Sequence, residues 1–399
     1  MTMKKFVFIL ALGLALAGST AFADEKSAVW ERIYRGAIND EMRYAVLLNI
    51  RELHDRQLGG LLTEALTDLV SRRIELGTVN EVEAKVRLAT GLVQELGELK
   101  EAGAADQVYQ VYKEVTGHPF LKSEAAMALG KMRATDYVAN LARDLTDTNL
   151  PPDRDRAAAQ EILAFGLVQA LAAMKDGRGY EPVFFASIGW YSPQRKVKET
   201  ARLMLKSMVD DPSEPLKKIV TSQLPPPARL KALEAEDESS APDAGKASVA
   251  LAALDEGVRV IPANIVEGTQ WGDLRKKAMT MLVKTKDKTP EAAALYRQQY
   301  KTAGLARDTS EILSILTLLG VNGTADSLAY LIELMQGFNV RANTPGLLTD
   351  FDVQQVRTIL QAFRTAADPA ARPVLLEAQF LYTPALQRDI KAVLAGLPK

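Results

Sequence analysis

An apolar stripe of helical spacing returns along this chain at intervals near thirty-eight residues, and no other feature limits its possible folds as sharply. In "SEAAMALGKMRATDYVANLARDL", residues 123–145, Ala125, Ala128, Leu129 and Met132 fall at i, i+3, i+4 and i+7, and Val138, Leu141, Ala142 and Leu145 repeat the pattern. That spacing puts each set on one face of an α-helix. "RATD" forms a short polar turn between them, with Thr135 placed to cap the second helix through its hydroxyl. Thirty-eight residues on, Leu163, Gly166, Leu167 and Ala170 make the next first-helix stripe, and the same step again reaches Ala201, Met204, Leu205 and Met208. Upstream lie Ala89, Leu92, Val93 and Leu96, and before them Val46, Asn49, Ile50 and Leu53. Downstream come Ala278–Thr285, Ile312–Leu319 and Val356–Phe363, with second-helix stripes such as Val108–Val115, Leu216–Val220, Leu328–Met335 and Ala371–Ala378 between the first ones. A hairpin with one apolar face per helix cannot bury both of its sides, so hairpins must stack and complete one another's cores. The predicted fold is all-α, a right-handed α-solenoid of roughly eight or nine helix pairs, with a capping helix around Leu386–Leu394.

The run "SEAAMALGKM…YVANLARDLTD…RDRAAAQEILAFGL" has small residues in the first helix, an aspartate near the end of the second and an arginine-alanine approach to the next repeat. In this it resembles the HEAT-repeat family, including the shorter HEAT-like repeats of bacterial proteins. The resemblance extends over residues 40–397; it is plainest in residues 119–210, weaker before them and irregular after 223. Tetratricopeptide repeats share the helix-pair unit, but their 34-residue period and tryptophan-glycine-tyrosine pattern are missing. The resemblance implies stacked hairpins and an extended binding surface, without an assigned partner.

Residues 1–23 are set apart from the fold. Lys4 and Lys5 precede an uncharged apolar run from Phe6 to Ala17, and Ala21-Phe22-Ala23 supplies an A-x-A cleavage site before Asp24. The run falls short of the ~20 apolar residues a membrane anchor needs. The expectation is a cleaved signal peptide and a periplasmic chain, extracellular in a single-membrane host. There is no cysteine, so an exported fold has to rest on buried apolar surface without disulfide staples. Removing Lys4 and Lys5 from 49 basic residues leaves 47 against 50 acidic ones, a net charge of about −3, which argues against nucleic acid as a partner. No second long apolar run points to an integral membrane span.

Regularity breaks after residue 223. "PPPARLKALEAEDESSAPDAGK" pairs a proline triplet with an acidic stretch lacking large apolar residues, and residues 224–250 read as a Pro-rich, acidic connection with a flexible loop at 236–245. That loop is either an insertion or a hinge. The expected organisation is therefore 24–223 and 251–399 as N- and C-terminal HEAT-like repeats around it. Two further insertions, 258–272 and 337–351, separate helices by more than the usual connection. Insertions at equivalent joints of a stacked array project from the same side, so these two are candidates for one binding edge.

Chemistry-bearing motifs are sparse. His54 and His118 are far apart, and neither has a carboxylate at i+4 to build a metal site; His118 precedes Pro119 at a helix start. Asp153 and Asp155 in "DRDR" sit at a helix start, where they favour the positive end of its dipole. No nucleophile elbow, phosphate loop or H-E-x-x-H helix occurs, so no catalytic residue, metal or cofactor is expected. In "GYEPVFFASIGWYSPQRKVK" Tyr180, Val183 and Phe184 suit a buried stripe, whereas Trp190, Tyr191, Arg195 and Lys196 lie at a turn. They have the composition of a recognition patch or of a plug between hairpins. Asn339, Arg341 and Asn343 of the 337–351 insertion are further partner-binding candidates. The expected function is a non-enzymatic scaffold holding an envelope protein or peptide along a concave face. The alternative is an accessory or hydrolytic factor acting on cell-wall glycan through groove carboxylates.

Overall fold

The computed structural model describes residues 26–344 and 347–398. The signal-peptide assignment to residues 1–23 therefore lies outside the described residues. Among those residues the chain is all-helical, with twenty α-helices and no strand. The described residues divide into two compact units, split between residues 209 and 210.

Unit 1 holds α1 (residues 26–36), α2 (Asp40–Leu53), α3 (Gly59–Ser71), α4 (Val79–Leu99), α5 (Ala105–Glu114), α6 (Pro119–Met132), α7 (Val138–Thr148), α8 (Ala157–Met174), α9 (Tyr180–Ile188) and α10 (Val197–Met208). The even-numbered helices form one layer, α2 on α4, α4 on α6, α6 on α8 and α8 on α10. In the other layer α3 lies on α5 and α7 on α9, and each odd-numbered helix from α3 onward packs on the even-numbered helix that follows it. The two helices of residues 123–145 thus pack on their neighbours: α6 on α4, α5 and α8, and α7 on α8 and α9.

Small residues, Ser123, Ala125, Ala126, Ala128 and Gly130, line the buried face of α6 because its backbone comes close to those of both flanking helices. A Cβ on Gly97 would stand 2.9 Å from Ala128 Cα, one on Gly130 would stand 2.6 Å from Ala170 Cα, and one on Gly166 would stand 2.6 Å from the Ser123 carbonyl oxygen. Bulkier residues at these positions would push the layer apart. Helix α8 is long and apolar enough, by length and composition, to cross a membrane, a property the sequence reading passed over. In unit 1 it is sandwiched between α6 and α10, and half of its apolar run is buried as core.

Unit 2 repeats the two-layer arrangement. It holds α11 (Ser213–Val220), α12 (Pro226–Glu238), α13 (Asp243–Arg259), α14 (Ile265–Lys284), α15 (Ala292–Ala306), α16 (Thr309–Asn322), α17 (Ala325–Ala342), α18 (Asp350–Ala366), α19 (Arg372–Ala378) and α20 (Pro384–Gly396). The even-numbered helices α12 to α20 pack in succession, as do the odd-numbered α11 to α19, and α20 matches the expected capping helix. Gly320 repeats the close approach seen in unit 1, its Cβ position lying 2.5 Å from Ala362 Cα.

Three sequence expectations need correction. Residues 224–250 are not a flexible loop but mostly the helices α12 and α13, joined by residues 239–242. The proline triplet opens α12, where fixed φ suits the first turn. Its inner face is built from Arg229, Ala232, Leu233 and Glu236, all buried, and a search for large apolar residues overlooks such a face. The stripe Leu216–Val220 lies in α11, which packs on α12 and α13, so the division falls at residue 209/210 and not after 223. Thr135 does not cap α7; it opens a 3-10 turn, Thr135–Tyr137, that leads into that helix.

That turn belongs to a recurring device. The helices α2, α4, α6, α8, α14 and α18 are followed by a left-handed residue: His54, Lys100, Arg133, Lys175, Lys286 and Ala367, with φ between 46° and 55°. In five of these the next residue is acidic, and it accepts a hydrogen bond from the backbone N–H two residues further on: Asp55, Glu101, Asp176, Asp287 and Asp368. The carboxylate satisfies a backbone donor of the following turn and so fixes the reversal.

Candidate interaction edge

Short turns join successive helices, so neighbours are antiparallel and, within a unit, all connections from an odd- to an even-numbered helix lie at one end. Hydrogen bonds between adjacent connections agree. Glu75 after α3 accepts from Thr116 and Gly117 backbone N–H after α5, at 3.1 and 2.7 Å, and Trp190 Nε1 after α9 donates to the Thr148 carbonyl at the end of α7, 3.0 Å away. Burial tends to raise the Glu75 carboxyl, but the Gly117 and Thr116 hydrogen bonds outweigh it and hold it below the usual range.

Large apolar side chains left exposed in connections or at their flanks gather at this edge. In unit 1 they are Ile38, Leu76, Val79, Phe120 and Leu150; in unit 2 they are Ile261, Ile265, Val266, Leu305, Leu347 and Phe380. Among the described residues, no large apolar side chain is exposed in the opposite connections, which run from even- to odd-numbered helices. The most exposed, Ile261 at 93%, lies beside Ile265 at 88%, in a connection that is internally braced. Glu267 accepts the Ala263 N–H at 2.8 Å and donates its own N–H to Asn264 Oδ1 at 2.9 Å. Other exposed apolar side chains, Val29, Ile33, Leu48, Leu203 and Leu376, lie singly along helices, as is ordinary on a protein surface, whereas among the connections they gather at one edge of each unit.

The same edge of unit 1 carries two cavities, and a third opens nearby. One of about 540 Å³ is lined by Asp40, Asp68, Glu81, Arg43, Arg72 and Lys85 beside Ile38. Its charges pair off: Arg72 holds Asp40 through two hydrogen bonds of 2.9 Å, and Arg43 reaches Asp68 at 3.0 Å. The Arg72 hydrogen bonds keep the Asp40 carboxyl below its usual range, and the Thr78 backbone and hydroxyl do the same for Glu81. A second, about 430 Å³, lies between the connections after α3 and α5 and includes Glu75 and Leu76. The third, about 350 Å³, is lined by Tyr44, Arg51, Arg87, Thr90, Gly91, Gln94 and Phe120, from α2, α4 and the start of α6.

The candidate residues of the sequence analysis fall into two groups. Tyr191 is buried and donates its hydroxyl to Asn149 Oδ1 at 2.8 Å, while Trp190 packs against it with ring centroids 4.7 Å apart. Glu161 accepts the Ser192 N–H and stands 3.7 Å from exposed Arg195. Trp190 and Tyr191 therefore plug the joint between the connections after α7 and α9, and burial takes Tyr191 out of any partner patch. Arg195 and Lys196 remain exposed beside the plug. Asn339 is also buried, donating to the Val374 carbonyl at 3.1 Å and accepting from Tyr382 at 2.9 Å, so it too is withdrawn as a contact. Arg341 lies over the Phe338 ring and pairs with Asp352 at 3.0 Å. Asn343 is exposed where α17 ends.

The two insertions expected at 258–272 and 337–351 are a further correction: most of the first is the end of α13 and the start of α14, and most of the second the end of α17 and the start of α18, so the joints are of ordinary length. Both joints, 260–264 and 343–349, are odd-to-even connections of unit 2 at its apolar edge, while 239–242 lies at the opposite one. Outside the 258–272 and 337–351 segments, the apolar residues of the edge were missed because a large apolar residue in a connection has the same hydropathy as one in the core. A usable signal was present: each stands outside the helical stripes, in or next to a polar turn after a second helix.

The plug makes its own prediction. Trp190→Ala with Tyr191→Ala lowers stability by about 4 kcal/mol, as large-to-small core changes do, and Tyr191→Phe by about 1 kcal/mol for the lost hydrogen bond. Urea melts measure both, and unchanged midpoints would return these residues to the surface patch.

No family model matches the chain, and no curated protein does. Among solved structures, the crystal structure of an engineered protein is similar at 15% identity, over 92% of this chain and 98% of that one. Its TM-score of 0.32 is too low to bear on the fold or the function of this chain.

Proposed function

We propose that this chain is an exported, non-catalytic HEAT-like α-solenoid scaffold that holds an envelope protein or peptide, with the partner docking on the apolar edge. The observation that carries this reading is the gathering of exposed apolar side chains in one set of connections in each unit. Acidic and basic residues alternate with them, as Arg73, Glu75, Lys113 and Glu114 do around Leu76. Apolar contacts set in mixed charge are the make-up of non-obligate protein interfaces, whereas an anionic lipid surface favours a basic excess. Acting on glycan through groove carboxylates calls for an acid able to give up a proton. Asp40 and Glu81, in the most acidic cavity, are instead held ionised by Arg72 and Thr78, which favours the scaffold reading over that alternative.

Photocrosslinking in living host cells tests this. A photoreactive residue at Leu76, Phe120 or Ile261 is expected to trap one and the same envelope protein, identified by mass spectrometry. The same residue at Lys100 or Arg133, on the opposite edge, traps none. Equal capture from both edges, or no capture from either, would contradict the proposal.

A further inference from the structure

The three cavities of unit 1 differ in charge. The first two carry carboxylates, Asp40, Asp68 and Glu81 in one and Glu75 and Glu114 in the other. The third, between α2 and α4, is lined by Tyr44, Arg51, Arg87, Thr90, Gln94 and Phe120 over Gly91, and no acidic residue lines it. Its two guanidinium groups are barely used within the chain. Arg51 pairs with Glu95 only at 3.7 Å, beyond hydrogen-bond distance, and Arg87 makes one hydrogen bond, 3.3 Å to exposed Glu83, while its guanidinium lies 6.0 Å over the Tyr44 ring, so most of their donors are left for a ligand. A guanidinium has five N–H donors in a fork that matches a carboxylate. Beside the cleft, Gly91 lets α2 pack closely on α4: a Cβ there would stand 2.8 Å from Leu47 Cδ2 and 3.4 Å from Tyr44 Cε2. Phe120, 55% exposed, closes the end nearest the apolar edge.

We propose that this cleft is the subsite for an acidic peptide segment of the partner, a carboxylate bridging Arg51 and Arg87 while a neighbouring apolar side chain rests on Phe120. This rests on the scaffold reading above and names the chemistry of its partner. At about 350 Å³ the cleft is at the small end of ligand cavities, which begin near ~300 Å³, so it takes one or two side chains of a longer chain. The charge complementarity is one-sided. Glu95 is the acid behind Arg51, and it is buried, facing Arg51 and His54 from α4.

Fluorescence anisotropy on the purified full chain tests the assignment, with fluorescein-labelled Glu-Glu-Phe-Glu-Glu and Gln-Gln-Phe-Gln-Gln as probes. The acidic peptide is expected to bind about tenfold more tightly than its amide counterpart, the scale of a charge-assisted pair. Arg87→Glu, an exposed position, abolishes that preference without moving the melting temperature, and Arg133→Glu on the opposite edge leaves it intact. Equal binding of both peptides, binding of neither, indifference to Arg87→Glu, or equal competition by a short oligothymidylate would each overturn the proposal. If both peptides fail while photocrosslinking at Phe120 still traps the partner, the acidic subsite falls and the scaffold stands. If both experiments fail, both fall.

Discussion

Gly130→Leu destabilises unit 1 by about 3 kcal/mol, the upper range for forcing atoms into a packed core. The Cβ of any side chain there would meet Ala170 Cα at 2.6 Å and the Ala170 carbonyl oxygen at 2.9 Å. Those are backbone atoms, so no rotamer change relieves the clash and α6 must move away from α8. Gly60→Ala serves as the control, because a Cβ at that helical position meets nothing within 4 Å. It is expected to be neutral or to stabilise by up to about 1 kcal/mol through helix propensity. Urea melts of the two variants decide the matter, and equal midpoints would mean that the even-numbered helices are not packed backbone to backbone.

The second large effect is the pH dependence of unit 2 at Glu236. Ser213 Oγ lies 2.6 Å from Asp211 Oδ1 and 2.7 Å from Glu236 Oε1, yet a hydroxyl has one hydrogen to give. Asp211 also receives the Ser213 backbone N–H at 3.0 Å, and these Ser213 hydrogen bonds hold its carboxyl below the usual range. Glu236 is fully buried and its second carboxyl oxygen has no hydrogen-bond partner. Burial pushes its carboxyl above the usual range, the Asp211 charge adds to this, and Ser213, Lys246 and Ser239 oppose it. The arrangement closes if Glu236 is protonated and donates to Ser213, which then donates to Asp211.

A folded-state pKa above the unfolded value means that the folded chain keeps a proton the unfolded chain has lost. The stabilisation from that proton is complete below the unfolded glutamate value and disappears as pH rises through the folded one. Glu236→Gln keeps a neutral donor at this point and escapes the loss. Its stability relative to the parent chain should therefore grow as pH rises through that window. By pH 8 it should lead by about 1–3 kcal/mol, the usual cost of a buried polar group left unsatisfied. Urea melts of both chains across pH measure it, and a constant difference would show that Glu236 does not hold the proton.

Much of the helical order was legible in the sequence because it is carried by apolar residues at helical spacing. The stripes at Ala125–Met132 and Val138–Leu145 mark α6 and α7, and Pro119 marks the start of α6. What was not legible depends on polar atoms. The inner face of α12 includes Arg229, which donates to Glu256 at 3.0 Å and to the Leu224 carbonyl at 2.7 Å and lies over the Trp271 ring, so a charged residue does the work of a core residue. The turn at Arg133 relies on left-handed backbone, which only its repetition at Lys100 and Lys175 brings out. For the candidate site, the sequence picked out Trp190 and Tyr191 because aromatics are conspicuous, though both are committed to the joint between α7 and α9. Leu76 and Phe120 drew no notice, because exposure is decided by the packing of residues far from them in the chain, whereas Ile261 fell within the 258–272 segment that the sequence marks as a candidate edge.

The central claim, that the apolar edge of each unit is covered by a partner in the cell, is tested most directly by hydroxyl-radical footprinting of the protein in intact host cells and after purification. Labelling of Leu76, Phe120, Ile261 and Ile265 should be several-fold lower in cells, while His54 and Tyr137 on the opposite edge label equally in both. Equal labelling of the apolar residues in the two states would contradict the account.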